Sequence, residues 1–195
     1  LGTLPLLGLR SRSEALLAIA PKGAVVQALL VGLAFALLTM AFVKQDFSVA
    51  YVAQNSNSAL PMHYRFSAVW GAHEGSLLLW ELVLALWTLA VALFSRSLPR
   101  EFQATVLAVL GLISVGFLLF IIYTSNPFER FLPPVPDGND LNPLLQDPGL
   151  IIHPPMLYMG YVGFAVSFAF AVAALIRGEV TREWVRWTRP WTHVA

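Results

Sequence analysis

The chain has 195 residues, a formal net charge of +1 and no cysteine, and 57% of its residues are hydrophobic against 12% charged. The charged share is about half that of a soluble domain, and the apolar residues fall in long blocks, so the fold class is an all-α polytopic transmembrane helix bundle. This balance excludes a basic nucleic-acid binder, and the absence of cysteine excludes a disulfide, a thiolate nucleophile or a thiolate metal site within the chain.

Leu1–Leu9 reads as the end of a truncated helix that exits at Arg10 and Arg12. Ser13–Ala20 has the pattern of a short interfacial helix, with Ser13 as N-cap and Pro21 as its stop. Ala24–Val43 is an uninterrupted apolar run of 20 residues, and at about 1.5 Å per residue such a helix crosses a hydrocarbon layer of about 30 Å. Residues 44–76 form a long polar loop that holds Tyr51, Tyr64, Phe66 and Trp70 around the turn-prone Asn55-Ser56-Asn57-Ser58. Leu77–Ser95 is the next span and carries Trp80 and Trp87, and Arg96–Phe102 is a short charged connection. Gln103–Tyr123 follows, with Gly111 and Gly116 too far apart for a GxxxG face. Residues 124–156 form a second long loop, rich in Pro, Asp and Asn. Leu157–Ile176 is the last full span, with Gly160 and Gly163 open to close approach by a helix or a flat ligand. Arg177–Ala195 is basic and carries Trp184, Trp187 and Trp191, an interfacial composition leading towards a further span. The reading is one transmembrane domain, 1–195, with four full spans at 24–43, 77–95, 103–123 and 157–176. Because the chain opens on Leu1 within an apolar run and closes just after Trp191, it is expected to be part of a longer protein.

Charge orients these spans. Nine cationic residues (Arg10, Arg12, Lys22, Arg96, Arg100, Arg177, Arg182, Arg186 and Arg189) fall on one side, and three (Lys44, Arg65 and Arg130) on the other. The positive-inside rule then puts both long loops outside, in the periplasm of a bacterium. His63, His73 and His153 go with those loops, and His193 with the inner side. Imidazoles beside apolar and aromatic surface suit a flat, apolar metal macrocycle such as haem; a quinone or a lipid headgroup fits the same description.

Two stretches carry most of the chemistry. The first is Leu141–Gly163, LNPLLQDPGLIIHPPMLYMGYVG. Asn142-Pro143 and Asp147-Pro148-Gly149 read as turns, and proline is tolerated in a helix's first turn, so a helix is expected to start near Pro154. His153 then sits at or just before that turn, as a metal ligand, a proton-transfer group, or an interfacial histidine bonded to a carbonyl. The second stretch is Trp70–Trp80, WGAHEGSLLLW. His73 and Glu74 form a relay if Gly71 and Gly75 make the backbone irregular, since adjacent residues on a regular helix diverge. The alternative is plain helix entry, with Glu74 at the positive end of the dipole and the tryptophans as belt anchors. Glu81, about one turn into the span that starts at Leu77, is expected to reach the interface. Arg65 and Arg130 are candidate partners for anionic groups such as haem propionates.

These stretches resemble the CcmF/NrfE family of cytochrome c haem lyase subunits. The resemblance is carried by Phe47–Trp80, FSVAYVAQNSNSALPMHYRFSAVWGAHEGSLLLW, and Leu141–Ala165, LNPLLQDPGLIIHPPMLYMGYVGFA. It covers nearly the whole chain and implies a location in the bacterial inner membrane. It implies a component of the lyase that joins haem to the CxxCH thiols of apocytochrome c, with haem delivered by the chaperone CcmE. Thiol- and apocytochrome-handling subunits of the CcmH and CcmI type are implied partners, and the missing cysteine agrees with thiols supplied by the apocytochrome. His153 matches the family's first external haem-ligating histidine. The tryptophan-rich haem-docking signature, the second external histidine and the ligands of a membrane-embedded b-type haem find no match in these residues, so this stretch alone is not expected to be active. His73 and Glu74 lie in a family motif without an assigned role, and the resemblance transfers no role to His63. A different class of reading is a transporter or haem export channel with histidines in a proton or ligand pathway; a purely structural membrane subunit is a third. Haem retention in detergent, judged by a Soret band, separates the first reading from both others.

Overall fold

A segment in hydrocarbon must satisfy its own backbone polar groups, and an uninterrupted helix does so with bonds to the carbonyl four residues back. The computed structural model describes residues 1–178 and 180–195. In chain order the helices are α1 (Leu4–Ser11), α2 (Glu14–Leu17), α3 (Ile19–Lys44), α4 (Ala50–Asn55), α5 (Met62–Ser67), α6 (His73–Phe94), α7 (Arg100–Thr124), α8 (Pro148–Arg177) and α9 (Arg182–Val194). Short 3₁₀ turns occupy Ala68–Trp70 and Pro143–Gln146. Among the described residues there is no strand, only an isolated antiparallel bridge between Val49 and Arg130. Glu14–Lys44, His73–Phe94, Arg100–Thr124 and Pro148–Arg177 are each long and apolar enough to cross a membrane.

The four spans lie where the apolar runs put them, but each helix begins earlier. Pro21 does not end the interfacial helix: the break falls upstream, at Ala18, and Pro21 lies in the first turn of α3, where no N–H is missed. α6 begins at His73 and α8 at Pro148. α1 is a helix of eight residues with Pro5 in its first turn, and it closes on Arg12 in the left-handed region, φ 52°. The last basic segment is α9, in which the half-buried Trp184, Trp187 and Trp191 share a face while Arg182, Arg186 and Arg189 are exposed.

By internal contacts the chain forms two units. The first comprises Leu1–Leu30, Leu82–Phe117 and Tyr158–Ala195. Its aromatic centre is Phe102, whose ring centroid lies 5.9 Å from Phe170 and 5.4 Å from Trp187. Trp87 meets Trp191 edge-on at 6.2 Å. A Cβ on Gly163 would lie 3.0 Å from the Trp87 ring and 2.7 Å from Ala195, so the close approach anticipated at this glycine is made by α6 and the end of α9. Gln27 of α3 donates to Ser114 of α7 at 2.8 Å, and Arg177 pairs with Glu101 at 2.8 Å.

The second unit comprises Val31–Glu81 and Leu118–Leu157. Here the two long loops are folded structure. Ala50 N–H donates to the Glu129 carbonyl at 2.8 Å and Phe131 N–H to the Ser48 carbonyl at 2.9 Å. Asp137 accepts from the Ser58 amide at 2.9 Å and its hydroxyl at 2.6 Å, Asn57 donates to Asp140, and Asn139 N–H donates to the Ala53 carbonyl at 2.7 Å. Beneath them Leu38, Phe42, Val49, Tyr51, Val52, Leu60, Val69, Leu78 and Leu141 form one buried cluster.

Tyr51 is the polar pin of that cluster. Its hydroxyl accepts from the Ala72 amide at 3.1 Å and lies within 3.2–3.4 Å of the carbonyls of Ala68, Val69 and Ala72. Gly75 is required opposite it: a Cβ there would collide with the Val69 carbonyl and sit 2.7 Å from the hydroxyl. Tyr51→Phe leaves the part-buried Ala72 amide without its acceptor, and is expected to cost about 1–3 kcal/mol. A reversible unfolding titration of the intact protein in mixed micelles measures the loss, and an unchanged midpoint would remove the pin.

Candidate functional site

The site is built from the first two turns of α8 and the turn that leads into α6, both within the second unit. Asp147 has extended dihedrals, φ −75° and ψ 128°, and its Oδ1 accepts from the amides of Gly149 at 2.8 Å and Leu150 at 3.3 Å. Its carbonyl accepts from Ile151 N–H at 3.1 Å. Asp-Pro-Gly is therefore a helix start, with Asp147 as N-cap and Pro148 as the first helical residue. The expected start near Pro154 is corrected by this cap. His153 lies inside the helix, in its second turn, with its side chain exposed. Ile152 and Met156, 60% and 66% exposed, give it apolar neighbours along the chain.

Pro154 and Pro155 are thus interior prolines. A proline inside a helix leaves the carbonyl four residues back without its N–H. For Pro155 that carbonyl belongs to Ile151, and it accepts instead from the indole Nε1 of Trp70 at 3.0 Å. Trp70 closes the 3₁₀ turn Ala68–Trp70 and meets Phe66 edge-on at 6.0 Å. It is more than a belt anchor: it joins the two candidate stretches directly.

His73 and Glu74 open α6 on regular helix, which separates their side chains. The exposed His73 places Nδ1 3.1 Å from the Ser125 hydroxyl and its ring edge-on to Phe120 at 6.5 Å. Glu74 is half-buried in the first turn and adds, behind burial itself, to the forces that push the Tyr51 phenol above its ordinary pKa. Glu81 is fully buried.

Both candidate arginines are engaged in the loops. Arg65 donates from Nε to the Leu60 carbonyl at 2.7 Å and from a terminal nitrogen to Ser58 at 3.3 Å. Arg130 donates to the Ser48 hydroxyl at 2.7 Å and lies 3.8 Å from Asp46. His63 is exposed, its ring 4.1 Å from that of Tyr64, and His193 in α9 accepts from Arg189 at 3.2 Å. No group of three or more His, Asp or Glu side chains gathers as a metal site among the described residues. What the arrangement offers is one exposed imidazole on a capped helix beside apolar side chains, which fits a single axial ligand to the iron of a flat macrocycle.

Ser125 and the Trp70 bond were not picked out from sequence. The signal for the second was present, since an interior Pro155 demands an outside donor for Ile151. No comparable local signal marked Ser125.

Four long apolar helices with folded loops between them define a multi-pass helical membrane protein. The family model for the cytochrome c assembly protein matches residues 70–195, and the chain belongs to that family. It is 63% identical over 194 residues to the cytochrome c-type biogenesis protein CcmF of Pseudomonas aeruginosa, covering 99% of this chain and 30% of that protein. It is 62% identical over 163 residues to CcmF of Escherichia coli, covering 83% and 25%. Among solved structures it matches "Cytochrome c Heme Lyase CcmF" with a TM-score of 0.85 at 32% identity, over 98% of this chain and 30% of that one. The chain thus spans about three tenths of the length of these relatives or less.

The loop ties around the site depend on carboxylates. The Ser48 hydroxyl, at 2.5 Å, holds the Asp46 carboxyl below the usual range, helped by the Ser48 amide and Arg130. The Ser58 hydroxyl and amide do the same for Asp137. A carboxyl whose folded pKa is lowered contributes stability above its unfolded value of about 3.9, and loses it as pH falls through the folded value. Amide exchange of residues 46–50 and 137–140 is therefore expected to be flat from neutral pH down to about 4, once intrinsic rates are divided out, and to rise below it. Asp46→Asn with Asp137→Asn flattens that rise; an unaltered acid profile in the double variant would show that these carboxylates do not hold the loops.

Proposed function

We propose that this chain is part of the membrane haem lyase that attaches haem covalently to the CxxCH thiols of apocytochrome c, and that His153 is an axial ligand of the haem being transferred. The observation that carries the reading is the placement of His153: an exposed imidazole on a capped helix, beside exposed Ile152 and Met156, in a chain of the cytochrome c assembly family. Haem is the substrate here; it supplies the vinyl groups across which cysteine S–H bonds add to form thioethers. This chain's part is to hold and present it. His73, with Ser125 fixing its ring, and Glu74 are secondary candidates at the same unit, as are Arg65 and Arg130 towards propionates. A resident b-type haem, delivery by CcmE, and CcmH- and CcmI-type subunits as thiol and apocytochrome handlers complete the assignment.

Residues 1–195 act as one transmembrane domain of an inner-membrane protein, with 44–76 and 124–156 periplasmic. Charge supports this orientation: the unit with His63, His73 and His153 holds only Lys44, Arg65 and Arg130 as cationic residues, and the other nine fall in the first unit. Two relatives in Haemophilus influenzae bear on the branch of the family. Identity is 60% over 164 residues to its CcmF and 50% over 163 to its NrfE, which favours the CcmF branch over the NrfE branch.

In the intact protein, His153→Ala is expected to lower co-purifying haem several-fold, read from the Soret band, and to block cytochrome c maturation. Full haem content with normal maturation would remove His153 from the mechanism. An epitope tag inserted within residues 124–146 is expected to be cleaved by protease added to spheroplasts, and protection of the tag would overturn the orientation.

A further inference from the structure

We infer that Trp70 is a positioning residue for His153: its indole N–H takes the place of the backbone N–H that Pro155 lacks, and so holds the turn from which the imidazole projects. The haem consequence rests on the reading of His153 as a ligand; the positioning itself does not.

The first two turns of α8 run from Pro148 to Met156, and helix bonding there is interrupted twice in succession, at Pro154 and Pro155. The amide of residue 154 would serve the Leu150 carbonyl, and that of residue 155 the Ile151 carbonyl. His153 lies between Ile151 and the first of these prolines, so the turn that carries it has the weakest internal bonding in α8. Asp147 secures the turn from its N-terminal side through Gly149 and Leu150. On the other side the Ile151 carbonyl receives the Trp70 indole at 3.0 Å.

The donor is itself held. Trp70 ends the 3₁₀ turn Ala68–Trp70, with Gly71 N–H returning to the Ala68 carbonyl at 3.0 Å. The Tyr51 hydroxyl lies within 3.2–3.4 Å of the Ala68 and Val69 carbonyls inside this turn and of the Ala72 carbonyl just beyond it, and accepts from the Ala72 amide. Gly71 approaches the Leu145 side chain, where a Cβ would lie 3.1 Å away. The indole is therefore fixed from the α4 side, and it fixes the α8 side in turn.

This account makes a demand that ordinary packing would not. Trp70→Phe keeps an aromatic ring against Phe66 but removes the N–H and part of the ring, and of these only the N–H is replaceable from within α8. Pro155→Ala returns an amide at the position that addresses Ile151. Pro154→Ala returns one that addresses Leu150, and so serves as the control. In the intact protein in detergent, amides 149–153 are expected to exchange about tenfold faster in Trp70→Phe, the effect of one lost hydrogen bond. Exchange returns to the parent rate in Trp70→Phe/Pro155→Ala and stays fast in Trp70→Phe/Pro154→Ala. Unchanged exchange in Trp70→Phe, or equal restoration by either proline substitution, overturns the assignment. Soret absorbance on the same samples reads the haem consequence, falling in Trp70→Phe and recovering only with Pro155→Ala. If exchange follows this pattern while His153→Ala keeps its full Soret band, the positioning role stands and the ligand role fails.

Discussion

A helix carbonyl whose usual amide has been replaced by proline needs another donor, and where packing excludes water that donor must come from the chain itself. α8 shows the demand most openly. Indoles donate to its backbone, among them Trp70 to Ile151, Trp87 to Met159 and Trp184 to Phe170. The last two reinforce carbonyls that also lie within reach of an ordinary helical N–H. The first is different in kind, because Pro155 has removed the ordinary donor. An unsatisfied carbonyl costs roughly as much as a lost hydrogen bond plus its desolvation, so a donor at this position matters more than its two counterparts. Tryptophan suits the task. Its indole carries a single donor at the end of a large apolar body that buries well beside helices.

The same requirement explains why the long connections are ordered. Loop backbone has no helical ladder to bond it, and here it is bonded by its own short polar side chains. Asp137 gathers the Ser58 amide and hydroxyl, Asp46 gathers those of Ser48, and Asn142 caps the turn at Leu144. These are local hydrogen bonds of the kind that compete with helix, placed where helix has stopped. Between them the two connections form a surface over the cluster around Tyr51 and Phe42, which meet edge-on at 5.3 Å. Gly138 permits the closest of these approaches, since a Cβ there would collide with the Ser56 carbonyl.

Long-range hydrophobicity was legible and short-range punctuation less so. Every apolar run of span length is a helix, because twenty apolar residues in lipid have no other way to satisfy their backbone. The helix ends were misjudged at prolines. Pro21 looked like a stop and lies in a first turn; Pro154 looked like a start and lies in an interior. Proline marks both places equally well, and the deciding information at α8 was elsewhere: Asp147 could cap, and Trp70 could repair. The cap was visible in Asp147-Pro148-Gly149, which serves helix starts as readily as turns. The repair needed a partner 81 residues away in sequence, beyond any local pattern. His153 was legible as a candidate from its setting, and Ser125 was not, because a serine near a loop start carries no distinguishing neighbourhood.

The helical placement of His153 changes what the residue is suited to do. An imidazole on a loop ahead of a helix can follow its ligand, and ordering it costs entropy on each binding event. An imidazole in the second turn of a helix that is capped by Asp147 and tied by Trp70 has its backbone settled beforehand. Only its own side-chain torsions remain to be fixed. On the proposed reading of His153 as a ligand of the transferred haem, such a settled backbone gives the ligand a defined geometry. The prolines then have a consistent role. They remove two N–H groups next to the imidazole, and so transfer control of its turn from α8 itself to the segment that leads into α6. The two candidate stretches read separately in the sequence are mechanically one site, and the indole of Trp70 is the point at which they meet.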